Sequence, residues 1–427
     1  MKKVFLYLKN DSALPMIQVY LNGYKGIQVF VQHDSAAFKN DLSFIGFPDA
    51  LFIEEEFISQ DIKENLDIIE QKICVTTEDK EIDGYRCFNR KNWEKACEDC
   101  FANLGENLEA EEFSDVPFHI LKKVITPVCD IYIQISKNGL PHRIKLFHAT
   151  EAVDQMTVEK YLDKGVRNAS VKSSDKLQFL NSISNQIYTE MLMSPTDNIV
   201  GKALDTALIL LKDIGFNSTS TQLIEGVVDA INEKLSHTKD GDLLAIKDLL
   251  NSKTSRYFKK AHLVSMLCGK IIELSSWGTH KHQNLMTFVA LMADMTLDKE
   301  EMLFLTDKKS LEESSLDETD KSNVWTHSRD AFHMIQAYRD RPLETDLLIL
   351  EHHGNKNGVG FSEQISTNLN KLTIIYRICE DFTIELLKLN EMNLDIKIMD
   401  IFQHLYIKHD KKVLHLVIDD LKKCFFN

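Results

Sequence analysis

No stretch of the 427-residue chain stays apolar for anything near the ~20 residues that cross a bilayer, and the opening MKKVFLYLKND returns to polar residues too early for a signal peptide. A cytoplasmic protein with no membrane partner is therefore expected. Basic charge is short as well: 50 Lys and Arg stand against 65 Asp and Glu, a formal charge of −15. Such a surface repels nucleic acid, so any anionic ligand must meet a local cationic site. Cysteine is sparse, with Cys74, Cys87, Cys97, Cys100, Cys129, Cys268, Cys379 and Cys424 scattered along the chain, which argues against a disulfide framework. Cys97 and Cys100 form one CxxC in KNWEKACEDCFANL, a helical pattern without the further ligands that zinc requires, so packed reduced thiols are expected. There is no internal repeat.

What is present divides into three regions, in keeping with a domain size of ~100–200 residues. Hydrophobic residues at 44% and charged residues at 27% give the balance of a folding chain. Residues 1–108 alternate β-rich runs (VFLYL, IQVFVQ, DALFIEE, KICVTT) with amphipathic segments (ALPMIQVYLNG, SAAFKNDLSFIG), the pattern of a parallel sheet with crossover helices. Residues 112–185 offer the strands DIYIQIS and HRIKLFH, a helix, a further strand and a closing helix, a small α+β domain. Residues 186–427 carry apolar residues at helical spacing almost throughout and are expected to form an all-α bundle. Within it, DKKSLEESSLDETDKSN (307–323) reads as a solvated loop or lid. The helices between Asn181 and Lys260 offer a surface for a homodimer, and internal packing accounts for the same pattern.

The chemistry-bearing residues of the bundle come in a particular order: His262, Asp294, His327, the doublet His352 and His353, and Asp381. Imidazoles and carboxylates projected inward from several helices can hold iron, manganese or a similar ion. The doublet opens EHHGNKNGVGF, where Gly354, Gly358 and Gly360 permit the sharp turn that lets two adjacent imidazoles reach one centre.

That order resembles the HD-GYP branch of the HD phosphohydrolase superfamily, whose signature HHExxDGxGYP stands here as His352 to Ser362 with both histidines and both glycines in register. The resemblance implies a helical bundle around two or three divalent ions, Fe or Mn, cyclic di-GMP or a related cyclic dinucleotide as ligand, and Asp294 as the catalytic, metal-bridging carboxylate. One ion would draw on Asp294, His327, His352 and His353, a well-formed site. A second would draw on His262, Asp294 and Asp381, one imidazole short and therefore weakened. The departures are specific. The family's His-Asp-x-Gly-Lys is here Ala293, Asp294, Met295, Thr296 and Leu297; the glutamate one turn before the first histidine is Phe258; and Tyr-Pro is Phe361 and Ser362. Lys356, beside the doublet, is the expected phosphate contact, with an exposed loop lysine as the alternative. His280 and His282 could replace the missing ligand, a solvated loop being the alternative.

The first region resembles a response-regulator receiver domain, which holds magnesium on an acidic pair after its first strand and phosphate on an aspartate after its third. Here the first strand runs into Leu8, Lys9 and Asn10, and the third into Glu54, Glu55 and Glu56. Too few oxygen ligands remain for magnesium, so an unphosphorylated pseudo-receiver is expected, with Glu54 standing where the acceptor would be; a structural or dimerising domain is the alternative. In the second region, Tyr161, Lys164, Gly165 and Val166 resemble the YxxKGV turn of the small domain that precedes HD-GYP domains. Three functions follow: a degenerate, metal-binding regulator with signalling partners; a slow metal-dependent phosphodiesterase; or a ligand-free scaffold.

Overall fold

The computed structural model describes residues 2–8, 13–22, 27–32, 38, 42, 46–58, 66, 69, 71–103, 112–137, 140–216, 218–237, 243–338, 340–362, 369–392, 394 and 396–426. They form two units, Met1–Thr189 with Ile209–Thr221 and Glu190–Leu208 with Gln222–Asn427.

The first unit holds two sheets. Strands β1 (Lys2–Tyr7), β2 (Ile27–Gln32), β3 (Ala50–Glu54), β4 (Gln71–Thr76) and β5 (Arg86–Asn89) pair in parallel in the order β2-β1-β3-β4-β5. This is the flavodoxin-like doubly wound order. β3 is buried along its whole length because both faces of the sheet are covered. Alternate residues serve opposite faces: Val4, Leu6, Phe52 and Val75 meet helices α1 (Ala13–Asn22) and α2 (Trp93–Asn103), whereas Phe5, Tyr7, Leu51 and Ile53 meet Phe38, Leu66 and Ile69. Cys97 and Cys100 lie in the first of these cores as free thiols, and burial pushes the Cys100 thiol up to about 12. β5 carried no apolar run that marked it as a strand. At the C-terminal end of β3, buried Glu54 pairs with Arg90, and Glu55 with Lys80. Lys9 and Asn10 lie outside the described residues, as does most of SAAFKNDLSFIG.

The second sheet is antiparallel, β6-β9-β7-β8, built from β6 (Phe113–Pro117), β7 (Ile131–Lys137), β8 (Leu140–Phe147) and β9 (Asn168–Lys172). Helix α3 (Gln155–Asp163) is capped by Asp154 and ends at Gly165, whose positive φ closes the turn. Helix α4 (Lys176–Met193) follows.

The second unit is helical. Its elements include α5 (Asp197–Ile214) and α6 (Ser218–His237), which like α4 the division between units crosses, α7 (Leu243–Asn251), α8 (Arg256–Leu274), α9 (His280–Met292), α10 (Lys308–Glu312), α11 (Glu318–Ile335), α12 (Thr345–Glu351), α13 (Lys371–Glu391), α14 (Ile398–Lys408) and α15 (Lys412–Phe426). α8 and α13 are its centre, each buried along nearly its whole length. The segment 307–323, expected as a loop or lid, instead forms α10 and the start of α11. The physical reason is its aspartates: Asp307 accepts from the Ser310 amide at 2.8 Å and Asp317 from the Asp320 amide at 2.9 Å, each capping a helix. His280 and His282 likewise lie in the first turn of α9 rather than in a loop, where the Thr279 amide donates to His282 Nδ1 at 3.2 Å. No helix among the described residues is long and apolar enough to cross a membrane.

Candidate metal centre

Five helices bring polar side chains into the core of the helical unit. Asp294 sits just past the end of α9; His327 is in the middle of α11; His352 and His353 follow the last turn of α12; α8 and α13 supply Lys260, Arg377 and Glu380. All are buried.

The loop after the doublet is held to α11. Arg329 donates its amide to Gly358 O at 3.1 Å, and the Gly360 amide donates to Trp325 O at 2.7 Å. Both glycines have positive φ, and a Cβ at Gly360 would fall 2.4 Å from the Trp325 ring. Glycine is required there by both conformation and space. The stitching brings the doublet against His327: the Nε2 atoms of His327 and His352 are 3.2 Å apart, those of His327 and His353 2.9 Å. Asp294 Oδ1 lies 3.7 Å from His327 Nε2.

These separations suit a metal. Two nitrogens bound at right angles to one ion at ~2.1 Å stand ~3.0 Å apart. His327, His352 and His353 each offer a ligand atom within 4.8 Å of the others, and so could hold an ion; Asp294, His352 and Glu380 form a second such group. Burial keeps the imidazoles neutral, with His327 and His352 lowered to about 4 and His353 well below its usual value.

The hydrogen bonds at the far ring nitrogens fix the tautomers. His327 Nδ1 donates to Val324 O at 2.6 Å and His352 Nδ1 to Ile349 O at 2.7 Å, since a carbonyl can only accept. Both therefore carry their lone pair on an unprotonated Nε2. His353 differs. Arg377 Nη1 donates to its Nδ1 at 2.7 Å, so the proton sits on Nε2 and points at His327. The lone pairs fit for an ion thus come from His327 and His352, with a carboxylate oxygen from Asp294, while His353 offers an N–H.

The carboxylate half is already neutralised. Lys260 Nζ contacts Asp294 Oδ2 and lies 2.7 Å from Glu380 Oε1; Arg377 reaches Glu380 at 3.2 Å and Asp381 at 3.0 Å. Burial opposes charge on Asp294, but Lys260 and the nearby imidazoles outweigh it and lower its pKa; Glu380 is raised by burial in spite of Lys260 and Arg377.

The remaining sequence candidates lie elsewhere. His262 is two residues from Lys260 on another face of α8. Its ring meets Phe258 edge-on at 5.4 Å, and its Nδ1 is 3.9 Å from Asp197 without a hydrogen-bond partner among the described residues. Asp381 turns away from the imidazoles, accepting from His409 Nε2 at 2.8 Å and Lys408 Nζ at 2.9 Å. The structure therefore does not bring His262 and Asp381 together with Asp294. Lys356 is exposed in the turn after the doublet. Lys260, Arg377 and Glu380 were missed by sequence reasoning. The only signal for them was charge at positions that a helical pattern buries.

No family model matches the chain, and no curated protein does. Among solved structures, Bd1817, a HDG"Y"P protein from Bdellovibrio bacteriovorus, is similar at 13% identity and a TM-score of 0.41, over 73% of this chain and 99% of that one.

Proposed function

We propose that the helical unit is a degenerate HD-GYP-like module that holds one divalent ion, iron or manganese, and acts as a sensor or regulator responding to cyclic di-GMP or a related cyclic dinucleotide. The observation that carries it is the convergence of the His327 and His352 Nε2 lone pairs, 3.2 Å apart, beside the Asp294 carboxylate. Asp294, His327 and His352 would hold the ion, which when bound supplies Lewis acidity toward a phosphate oxygen. Arg377 orients His353 as an N–H donor toward the same place, and Lys356 is the nearby exposed cation for a phosphate. The second ligand set expected from the resemblance, His262, Asp294 and Asp381, is not brought together, and Lys260 occupies the carboxylate side of Asp294, which favours binding over the two-metal hydrolysis of an intact member.

The parallel sheet fits the same reading as an unphosphorylated receiver-like input domain, since Glu54 at the end of β3 is already paired with Arg90. Signalling partners and a homodimer belong to this reading.

The test uses the full chain with manganous ion and cyclic di-GMP. Saturable binding without product, lost with His352→Ala and Asp294→Ala together with at least about 100-fold of metal affinity, is the expected outcome; removing even an outer partner of a ligand typically costs 10–100-fold. Turnover abolished by the same changes would establish the phosphodiesterase instead. Native and chelator-treated protein with identical metal content and no ligand uptake would leave the scaffold.

A further inference from the structure

We infer that the ε-ammonium of Lys260 is a built-in second cation, which occupies the carboxylate half of the cluster and limits the centre to one metal ion. The inference rests on the reading of the imidazole half as a metal site and adds what controls its stoichiometry.

Asp294, His352 and Glu380 bring two carboxylates and an imidazole within 4.8 Å of one another. With the single free nitrogen of His352 given to the ion of the imidazole half, the two carboxylates remain as oxygen donors for a second divalent ion. The side chain of Lys260 reaches into it from α8 and contacts both carboxylates, Asp294 Oδ2 and Glu380 Oε1. An ammonium and a metal ion cannot share those oxygens at contact distance. Lys260 is itself buried, so the charge has no solvent to retreat to.

The charge count agrees. Around the carboxylate half, Lys260, Arg377 and Lys408 face Asp294, Glu380 and Asp381 through contacts that link all six. Three cations balance three anions. A divalent ion added beside Glu380 would bring two uncompensated charges into a buried space, whereas removal of Lys260 leaves one carboxylate charge in excess. Buried carboxylates in excess take up either a cation or a proton. Two carboxylates with oxygens within 4.8 Å of one another favour the cation. Lys260 thus acts as a fixed charge that no chelator can withdraw, and only the ion on the imidazole half is exchangeable.

The experiment strips the full-length protein with chelator, re-equilibrates it with manganous ion alone, and counts bound manganese by elemental analysis and titration calorimetry. Wild type should hold one ion, Lys260→Ala two, and Lys260→Ala combined with Glu380→Gln one again. Two ions in the wild type, or one in both the wild type and Lys260→Ala, overturn the inference and leave the imidazole site standing. No ion in the wild type removes the imidazole site. In that case a single manganese gained by Lys260→Ala and lost with Glu380→Gln still supports the lysine as the cation's stand-in, and none gained overturns it. Lys260→Gln, neutral and of similar length, gives the same readout should the alanine variant not fold.

Discussion

The two halves of the polar core handle the same difficulty, buried polar groups, in opposite ways. The carboxylate half is closed: each of Asp294, Glu380 and Asp381 meets a cation from Lys260, Arg377 or Lys408 within the fold. The imidazole half is open: the Nε2 lone pairs of His327 and His352 face each other across 3.2 Å, the first accepting only the His353 N–H, with backbone carbonyls behind them. A closed half stabilises by internal pairing, and breaking one partner is severe. An open half is neutral and poised for a guest, so its loss changes binding before it changes folding.

The largest effect that would sharpen this contrast comes from Arg377→Met. It leaves three buried carboxylates to two cations and removes the donor to His353, so unfolding in urea should show a loss of about 3–5 kcal/mol. A loss below about 1 kcal/mol would mean that the closed half neutralises itself without the arginine. Gly360→Ala should cost about 1–3 kcal/mol, because its φ is +69° and its Cβ meets the Trp325 ring. Manganese affinity should fall with it, since the loop that seats the doublet against α11 is displaced. An unchanged affinity would show that the doublet holds its place without that loop.

A further effect concerns acid. His262 is buried without a charged role in the core, and burial lowers its pKa to about 4 from 6.5. Between those values the unfolded chain binds a proton that the folded chain does not. Stability is therefore full above about pH 6.5 and falls toward pH 4, by up to about 1.4 kcal/mol per pH unit from this residue. His262→Leu should flatten that limb by the same slope in denaturation curves taken across the window; an unaltered slope would place the acid sensitivity in the imidazole cluster alone.

Much of the arrangement was legible in the chain. The alternating runs indicated the parallel sheet, the uninterrupted helical spacing indicated the bundle, and the histidine order together with the glycines after the doublet indicated a meeting point for His327, His352 and His353. The sequence was less informative about helix phase. Residues 380 and 381 are neighbours in the chain but about 100° apart around α13, so Asp381 faces His409 while Glu380 faces Lys260. Lys260 was hidden for a related reason. In RYFKKAH a lysine reads as a solvated face, and only the burial of α8 on both sides reveals its partners. β5 and β6 were missed because neither carries an apolar run long enough to stand out, and both form by adding to strands already present. The helices in 307–323 were masked by acidic composition, although their capping aspartates were in plain view.

Arg377 touches three things at once: His353 Nδ1, Glu380 and Asp381, the last of which is gripped from the far side by Lys408 and His409 at the end of α14. The C-terminal hairpin of helices is thereby wired to the doublet through two buried joints. The tautomer of His353, set by Arg377, is in this way tied to the end of α14, some fifty-five residues further along the chain.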